Sequence, residues 1–290
     1  MGRETAEFER VKVNHHCHTT ASDGSDAPEA LLQTAISHNM ILGVTDHQTV
    51  DGLKRLREIA ETDSKLAAEI AKRILPGMEI RSEEGPELLV YGKTLDQAID
   101  FFEKHVAAER DESNPLYAPT RLGILEIIAL CREHAMEIGI PHFDSAMYGI
   151  NALHPDDLKQ VTEVLEAYRD HVFVERNPHY SKAQNTRAIV YAMRHRFPVI
   201  SGADSHDERH DESYTEIKLP APDENTTAAE RVFPQIHEHH PNILAQVLRE
   251  LPMYRKLRNG MQIVLRNGIR ITVYDLIAKI RRLKSVRQPS

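Results

Sequence analysis

The chain has 290 residues, 41% hydrophobic and 28% charged, which fits a folded globular protein with a large core and excludes a disordered one. Its net charge of −8 is uneven: residues 253–290 carry ten Lys or Arg against Asp275 alone, about +9, which leaves about −17 for residues 1–252 and argues against broad phosphate-backbone contact there. No apolar run approaches a membrane span, and Met1-Gly2-Arg3-Glu4-Thr5-Ala6 has neither a secretory signal's apolar stretch nor the Ser or Thr of a myristoylation pattern, so a cytoplasmic protein with no membrane partner is expected.

Residues 11–14 read as a short strand that runs into His15-His16-Cys17-His18, with Asp23-Gly24 soon after. Side chains two apart on a strand point the same way. His16 and His18 should therefore share one face, with His15 and Cys17 on the other. Ser25-Asp26-Ala27-Pro28-Glu29 opens a helix carrying Leu31, Leu32, Ala35 and Ile36 at helical spacing. Residues 41–45 form a buried strand ending in Asp46-His47, and residues 51 to about 74 are helical in pattern. An extended stretch starts at Ile80, preceded by Pro76-Gly77-Met78-Glu79; residues 88–91 form a further strand closed by Gly92. Residues 95–108 are helical and 109–119 read as a polar loop. A helix over 121–138 contains Cys131, expected to be buried; with only two cysteines and no CxxC pair there is no disulfide framework.

Gly139-Ile140-Pro141-His142 closes the next strand, and a helix spans 155–168. Residues 171–175 form a strand that brings Glu175 and Asn177 as polar lining, and 182–195 are helical. Residues 198–204 form a strand that delivers Asp204-Ser205-His206. Beyond Pro222, residues 228–251 look helical with breaks at Pro234 and Pro241, and His237-Glu238-His239-His240 reads as an exposed loop. Asn259-Gly260 and Asn267-Gly268 are turn signals, the second within a possible hairpin over 261–273, and 274–283 form a basic helix. That basic end is either a solvated helix or a contact for a partner or nucleic acid.

Repeated βα units imply a parallel sheet, open or closed, and six or seven of them in about 220 residues suit an α/β barrel. Residues 1–220 would form the barrel, and 221–290 a helical and hairpin extension that could pack on it. His16, His18, Asp23, His47, Glu79, His142, Asp204 and His206 all fall at predicted strand ends or in the loops after them, where barrels build active sites. Imidazoles with carboxylates suit Zn, Mn or Fe. Eight ligands exceed one tetrahedral ion, so two or three divalent ions fit better. Other readings stay open: His16 and His18 as buried polar residues of a strand, Asp23 as a cap for the turn at Gly24, His142 as a packed core residue. Asp46 reads as an orienting carboxylate rather than a ligand. Arg81, His179 and Arg209 are candidate phosphate contacts, and Lys182 and Arg187 weaker ones.

His16-Cys17-His18-Thr19 with Ser22-Asp23-Gly24, Thr45-Asp46-His47-Gln48-Thr49, Gly77-Met78-Glu79-Ile80, Pro141-His142 and Gly202-Ala203-Asp204-Ser205-His206 stand in an order that resembles the PHP (polymerase and histidinol phosphatase) superfamily over residues 11–210. The resemblance implies a distorted (β/α)7 TIM-like barrel with two or three divalent ions and hydrolysis of phosphoesters. By that resemblance His16, His18, Glu79 and Asp204 would hold one ion, Asp23, His47 and His206 a second, and Glu79 would bridge to a third shared with His142. Glu79 and His206 would be the catalytic residues. A metal-bridging hydroxide near Glu79 would attack phosphorus. The implied substrate is a small-molecule or nucleotide phosphomonoester. A nuclease or phosphodiesterase acting on nucleic-acid ends, and a non-catalytic metal-stabilised module that binds a partner, are the alternatives. One departure stands out. Glu87-Leu88-Leu89-Val90-Tyr91-Gly92 places Leu89 where many members have a His, so the third ion should lack a ligand unless His105 or His179 moves in.

Overall fold

A computed structural model describes residues 8–207, 209–223, 226–238 and 243–249. Nine strands form one sheet: β1 (Phe8–Cys17), β2 (Met40–Val44), β3 (Ile74–Arg81), β4 (Glu87–Tyr91), β5 (Glu137–Ile140), β6 (Val172–Arg176), β7 (Val199–Ser201), β8 (Tyr214–Pro220) and β9 (Ile243–Val247). Their order is β7-β6-β5-β4-β3-β2-β1-β8-β9. The helices are α1 (Pro28–Ser37), α2 (Asp51–Thr62), α3 (Ser64–Arg73), α4 (Leu95–Phe101), α5 (Ile124–Glu133), α6 (Pro155–Glu166), α7 (Lys182–His195) and α8 (Ala228–His237).

β1, β2 and β3 pair in parallel, as do β5, β6 and β7. β4 is antiparallel to both β3 and β5. The reason is local: the tight turn over 82–86, with Gly85 at φ 106°, returns the chain without a crossover helix. The two edges of this run then meet. The Ser205 amide donates to the His16 carbonyl (3.3 Å) and the His18 amide to the Ser205 carbonyl (3.0 Å), which leaves the sheet a nearly closed barrel. β8 and β9 continue antiparallel from the outer edge of β1.

Two apolar layers fill the molecule. The inner one holds Val11, Val13, Ile41, Leu75, Leu89, Tyr91, Phe173 and Ile200, and α8 closes it from below with Val232, Phe233 and Ile236. The outer one packs the helices on the strands through Leu31, Leu42, Val44, Leu53, Met78, Ile80, Ile128 and Ile138. Alternation along β3 shows the logic: Ile74, Met78 and Ile80 join the outer layer, Leu75 the inner one.

Several boundaries differ from the sequence reading. The helix expected to run to residue 74 breaks at Asp63, whose carboxylate caps α3 by accepting from the amides of Lys65 (2.8 Å) and Leu66 (3.2 Å). β3 begins at Ile74, so Glu79 lies inside a strand. The helix expected to reach residue 138 stops at Glu133, beyond which Ala135 takes φ 51° and β5 starts. After α4 the chain makes a π-helical turn, Phe102–Val106. Residues 228–251 divide into α8 and β9, and β8 was not anticipated. The expected hairpin over 261–273 and the basic helix lie outside the described residues. Among the described residues no helix is long and apolar enough to cross a membrane.

Candidate metal centre

β1 carries a bulge. Between Asn14 and Cys17 it advances three residues while β2 advances two, Leu42 to Val44. Asn14 holds the bulge: its Oδ1 accepts from the amides of His16 (3.3 Å) and Ala203 (2.9 Å), and its Nδ2 donates to the His210 carbonyl (2.8 Å). As a result His15 does not turn away with Cys17, as strict alternation required. Both His15 and His16 reach Glu175 Oε1, at 3.3 Å from Nε2 and 2.9 Å from Nδ1 respectively. Cys17 does face the outer layer, and burial pushes its thiol up to about 12.

Three other strand ends are shaped by unusual backbone. Gln48, His142 and Asp204 take φ of 47°, 30° and 47°, values rare for residues other than glycine and concentrated at functional sites. Asp46 anchors the loop after β1, accepting from the Thr19 amide (2.7 Å), Thr19 Oγ1 (2.8 Å) and Ser22 Oγ (2.7 Å). Among the described residues it pairs with no imidazole; it fixes the loop that presents Asp23. In that loop a Cβ on Gly24 would lie 2.1 Å from the His18 carbonyl oxygen, so only glycine fits.

All eight expected ligands converge, in three sets. In the first, His16 Nε2 lies 3.1 Å from His18 Nε2, 3.4 Å from Glu79 Oε2 and 3.5 Å from Asp204 Oδ1. His18 Nε2 is 3.5 Å from the same Glu79 oxygen and 3.3 Å from the same Asp204 oxygen. Bonds of about 2.0–2.2 Å to a tetrahedral ion would set neighbouring ligand atoms roughly 3.3–3.6 Å apart. The four atoms thus have the spacing of ligands around a common centre.

In the second set Asp23 Oδ2 stands 3.2 Å from His206 Nε2 and 3.6 Å from His47 Nε2. Despite these separations, both Asp23 oxygens and His206 Nε2 are buried without a hydrogen bond. Such orphaned donors and acceptors are costly unless an ion satisfies them, so this donor set fits a divalent cation. The third set contains a residue the sequence reading missed. Glu79 Oε1 is 3.0 Å and Glu87 Oε2 3.3 Å from His142 Nε2. Period-two alternation from Leu89 was the available signal for Glu87. Glu79 turns one oxygen to the first set and the other to the third.

Residues outside the sets fix the rings. Glu175 accepts from His16 Nδ1, leaving Nε2 for the centre, and its Oε2 accepts from the His142 amide (3.1 Å) and Asn177 Nδ2 (3.0 Å). Asn177 also donates to Asp204 Oδ2 (3.0 Å), and His206 turns Nδ1 to the Asp204 carbonyl (3.0 Å). Burial alone would make these imidazoles neutral. In His16 the charges of Glu175, Asp204 and Glu79 overcome burial and hold the ring well above its usual range. In His206 Asp23 and Asp204 do the same, raising it to about 10. His142 is raised by Glu79 and Glu87 against burial. His18 goes the other way, down to about 4, through burial and the neighbouring His206 and His47. Burial pushes the carboxyls of Asp23, Glu79 and Asp204 up, but the surrounding imidazoles hold them below their ordinary range.

The remaining candidates are members of none of the three sets. Arg81 is buried, its Nη1 donating to the Tyr117 carbonyl (2.8 Å) and its guanidinium 4.8 Å over the Tyr148 ring. His179 bonds the Asp204 carbonyl through Nε2 (3.0 Å), and with Arg209 and Arg249 lines a pocket beside His206. Arg209 also meets Glu212 at 3.1 Å. Arg187 pairs with Asp144. His105 packs on Phe101 and His134 and joins none of the three sets. His237 is not in an exposed loop: it ends α8 and bonds Glu137 Oε2 at 2.9 Å. His239 and His240 lie outside the described residues.

No protein-family model matches the chain. It is 31% identical over 101 residues to the 5′-3′ exoribonuclease Rnm of Escherichia coli, a match that spans 34% of this chain and 33% of that one. Its fold matches the lesion-specific endonuclease PfuEndoQ of Pyrococcus furiosus with a TM-score of 0.60 at 15% identity, over 82% of this chain and 58% of that one. It also matches a two-domain protein of Bacteroides vulgatus containing a predicted PHP-like metal-dependent phosphoesterase, with a TM-score of 0.53 at 15% identity, over 88% and 70% of the two chains. With its ordered motifs gathered at one end of a nearly closed barrel, the chain shares its fold with these two structures.

Proposed function

We propose that this protein is a metal-dependent hydrolase of phosphoesters, with β1–β7 as the seven strands of a distorted (β/α)7 barrel closed through Ser205. The observation that carries the reading is the convergence of nine ligand-type side chains into three overlapping sets around Glu79. His16, His18, Glu79 and Asp204 would hold one divalent ion, and Asp23, His47 and His206 a second. Divalent ions in these positions would neutralise a phosphoryl oxygen and activate water at neutral pH.

The chain's own part is placement. Glu79, directing its two oxygens to different sets, fixes the spacing between ion positions. Glu175 and the Asp204 carbonyl select the ring tautomers of His16 and His206. Arg209 and His179, beside His206, are placed to take the charge of a substrate phosphate. The exoribonuclease relative favours a nucleic-acid phosphodiester over the small-molecule phosphomonoester expected from the sequence, although its match covers only a third of that chain.

The test is a metal-stripped protein reloaded with Mn, Fe or Zn and offered a 5′-phosphorylated RNA oligonucleotide beside p-nitrophenyl phosphate. RNA cleavage that exceeds monoester hydrolysis and vanishes, together with bound metal, in His18→Ala and Asp204→Ala is expected. Full metal content in both variants would overturn the ligand assignment. A loaded protein inert to both substrates would leave the non-catalytic metal-stabilised module.

A further inference from the structure

The third set is where this chain departs from the pattern its other motifs follow. Leu89 pairs with Glu79 across β3 and β4, and Glu87 pairs with Arg81. Alternation gives Glu87, Leu89 and Tyr91 one common face, and Leu89 and Tyr91 belong to the inner apolar layer. Because β4 runs antiparallel, its first residue lies at the rim where β3 and β5 end. A carboxylate at that first position therefore arrives level with His142, one pleat above the leucine.

The electrostatics of this corner are incomplete. The side chains of Glu79, Glu87 and His142 are only 1%, 8% and 5% exposed. Two carboxylates share one imidazole nitrogen, at 3.0 and 3.3 Å. One imidazole thus stands between two buried carboxyl groups, and Glu79 is at the same time shared with His16, His18 and His47. A divalent ion would balance the corner.

The donor sets also differ in kind. The first has two imidazoles with two carboxylates, the second three imidazoles, His18 among them, with one carboxylate, the third one imidazole with two carboxylates. Imidazole favours Zn and Fe, whereas carboxylate oxygen favours Mn and Mg. We propose that Glu87 replaces the ligand missing at Leu89, and that the resulting Glu79–Glu87–His142 position selects a hard divalent ion, Mn2+ or Mg2+, while the other two positions take imidazole-favouring ions. This rests on the metal-dependent reading above, and it concerns the one position that reading leaves short of a ligand.

The experiment uses the full chain, stripped with a chelator, exposed to Zn2+ and Mn2+ together in slight excess and desalted. Metals are then counted per chain by elemental analysis, with the Mn2+ electron paramagnetic resonance signal as a second readout. Two Zn and one Mn per chain are expected for the unaltered protein. Glu87→Gln, which keeps shape and loses charge, should retain the two Zn and lose the Mn; Glu87→Asp should retain both metals. A chain that fills with Zn alone, or a Glu87→Gln variant that keeps its Mn, overturns the proposal and leaves the broader reading standing. A chain that takes up neither ion overturns both. The count on the unaltered protein decides the matter even if a variant fails to fold.

Discussion

Glu175 belongs to none of the ion sets, yet it meets His15, His16, the His142 amide and Asn177. Such outer carboxylates typically govern metal affinity by about 10–100-fold. Glu175→Ala should weaken retention of the first ion by that order, read as faster metal loss to a competing chelator, with the barrel still folded by circular dichroism. The pH response follows from the same corner. In the metal-free protein His206 titrates near 10 against an ordinary 6.5, so the stability its pairing adds is complete below about 6.5 and is lost as pH rises towards 10. The lowered carboxyls of Asp23, Glu79 and Asp204 add stability above their ordinary 3.8–4.5, lost in acid. Because His18, lowered to about 4, loses its contribution only below about 6.5, the melting temperature of the stripped protein should fall as pH rises from about 6.5 towards 10. Because ligating imidazoles must be neutral, adding metal at pH 7 should release protons, visible with an indicator dye. Most of these residues were legible in the sequence because short motifs sat at strand ends. Glu87 was not, because the resemblance puts its ligand at position 89 and no motif marks the residue two earlier on the same face. His15 was misplaced because a bulge has no signature in alternation.

Among the elements, β1 shows why local pattern reading fails in places. Its polar run of Asn14, His15 and His16 is buried, and its geometry is fixed by a side chain rather than by the ladder. Asn14→Ala would strand the Ala203 amide and the His210 carbonyl, at about 1–3 kcal/mol for each unsatisfied group. Urea unfolding of the metal-free variant should show a loss of that order with an unchanged slope. A loss under about 0.5 kcal/mol, the range of neutral surface changes, would mean the bulge does not need Asn14. β8 was missed for another reason. Its inward Thr215, Ile217 and Leu219 alternate with Glu216 and Lys218, a half-buried antiparallel strand, while the preceding repeats had set an expectation of buried parallel ones. Antiparallel β4 was hidden in the same way, although the short spacing from Glu79 to Leu88 left no room for a helix.

For the whole molecule, the acidic body and basic end divide the chain electrostatically. If the end contacts RNA, Arg281→Glu, Arg282→Glu and Lys284→Glu together should flatten the dependence of RNA affinity on salt by about two units of log–log slope, while monoester hydrolysis is unchanged. Fluorescence anisotropy across a salt series measures this, and an unaltered slope would release the end from that role. The nearly closed barrel itself was readable from repeated βα units. Its seam was not, because that depends on residues far apart in the chain meeting at Ser205.

The seam has a kinetic consequence. Asn14 and Ala203 are 189 residues apart, and Ser205, which closes the ring, sits between Asp204 and His206. Contacts of such sequence separation form late, after much loop entropy has been lost. A centre built on such contacts is expected to form late in folding and to open early in unfolding. Bound ions should slow unfolding strongly and leave refolding almost unchanged, so that in a denaturant-jump experiment only the unfolding arm moves with added metal.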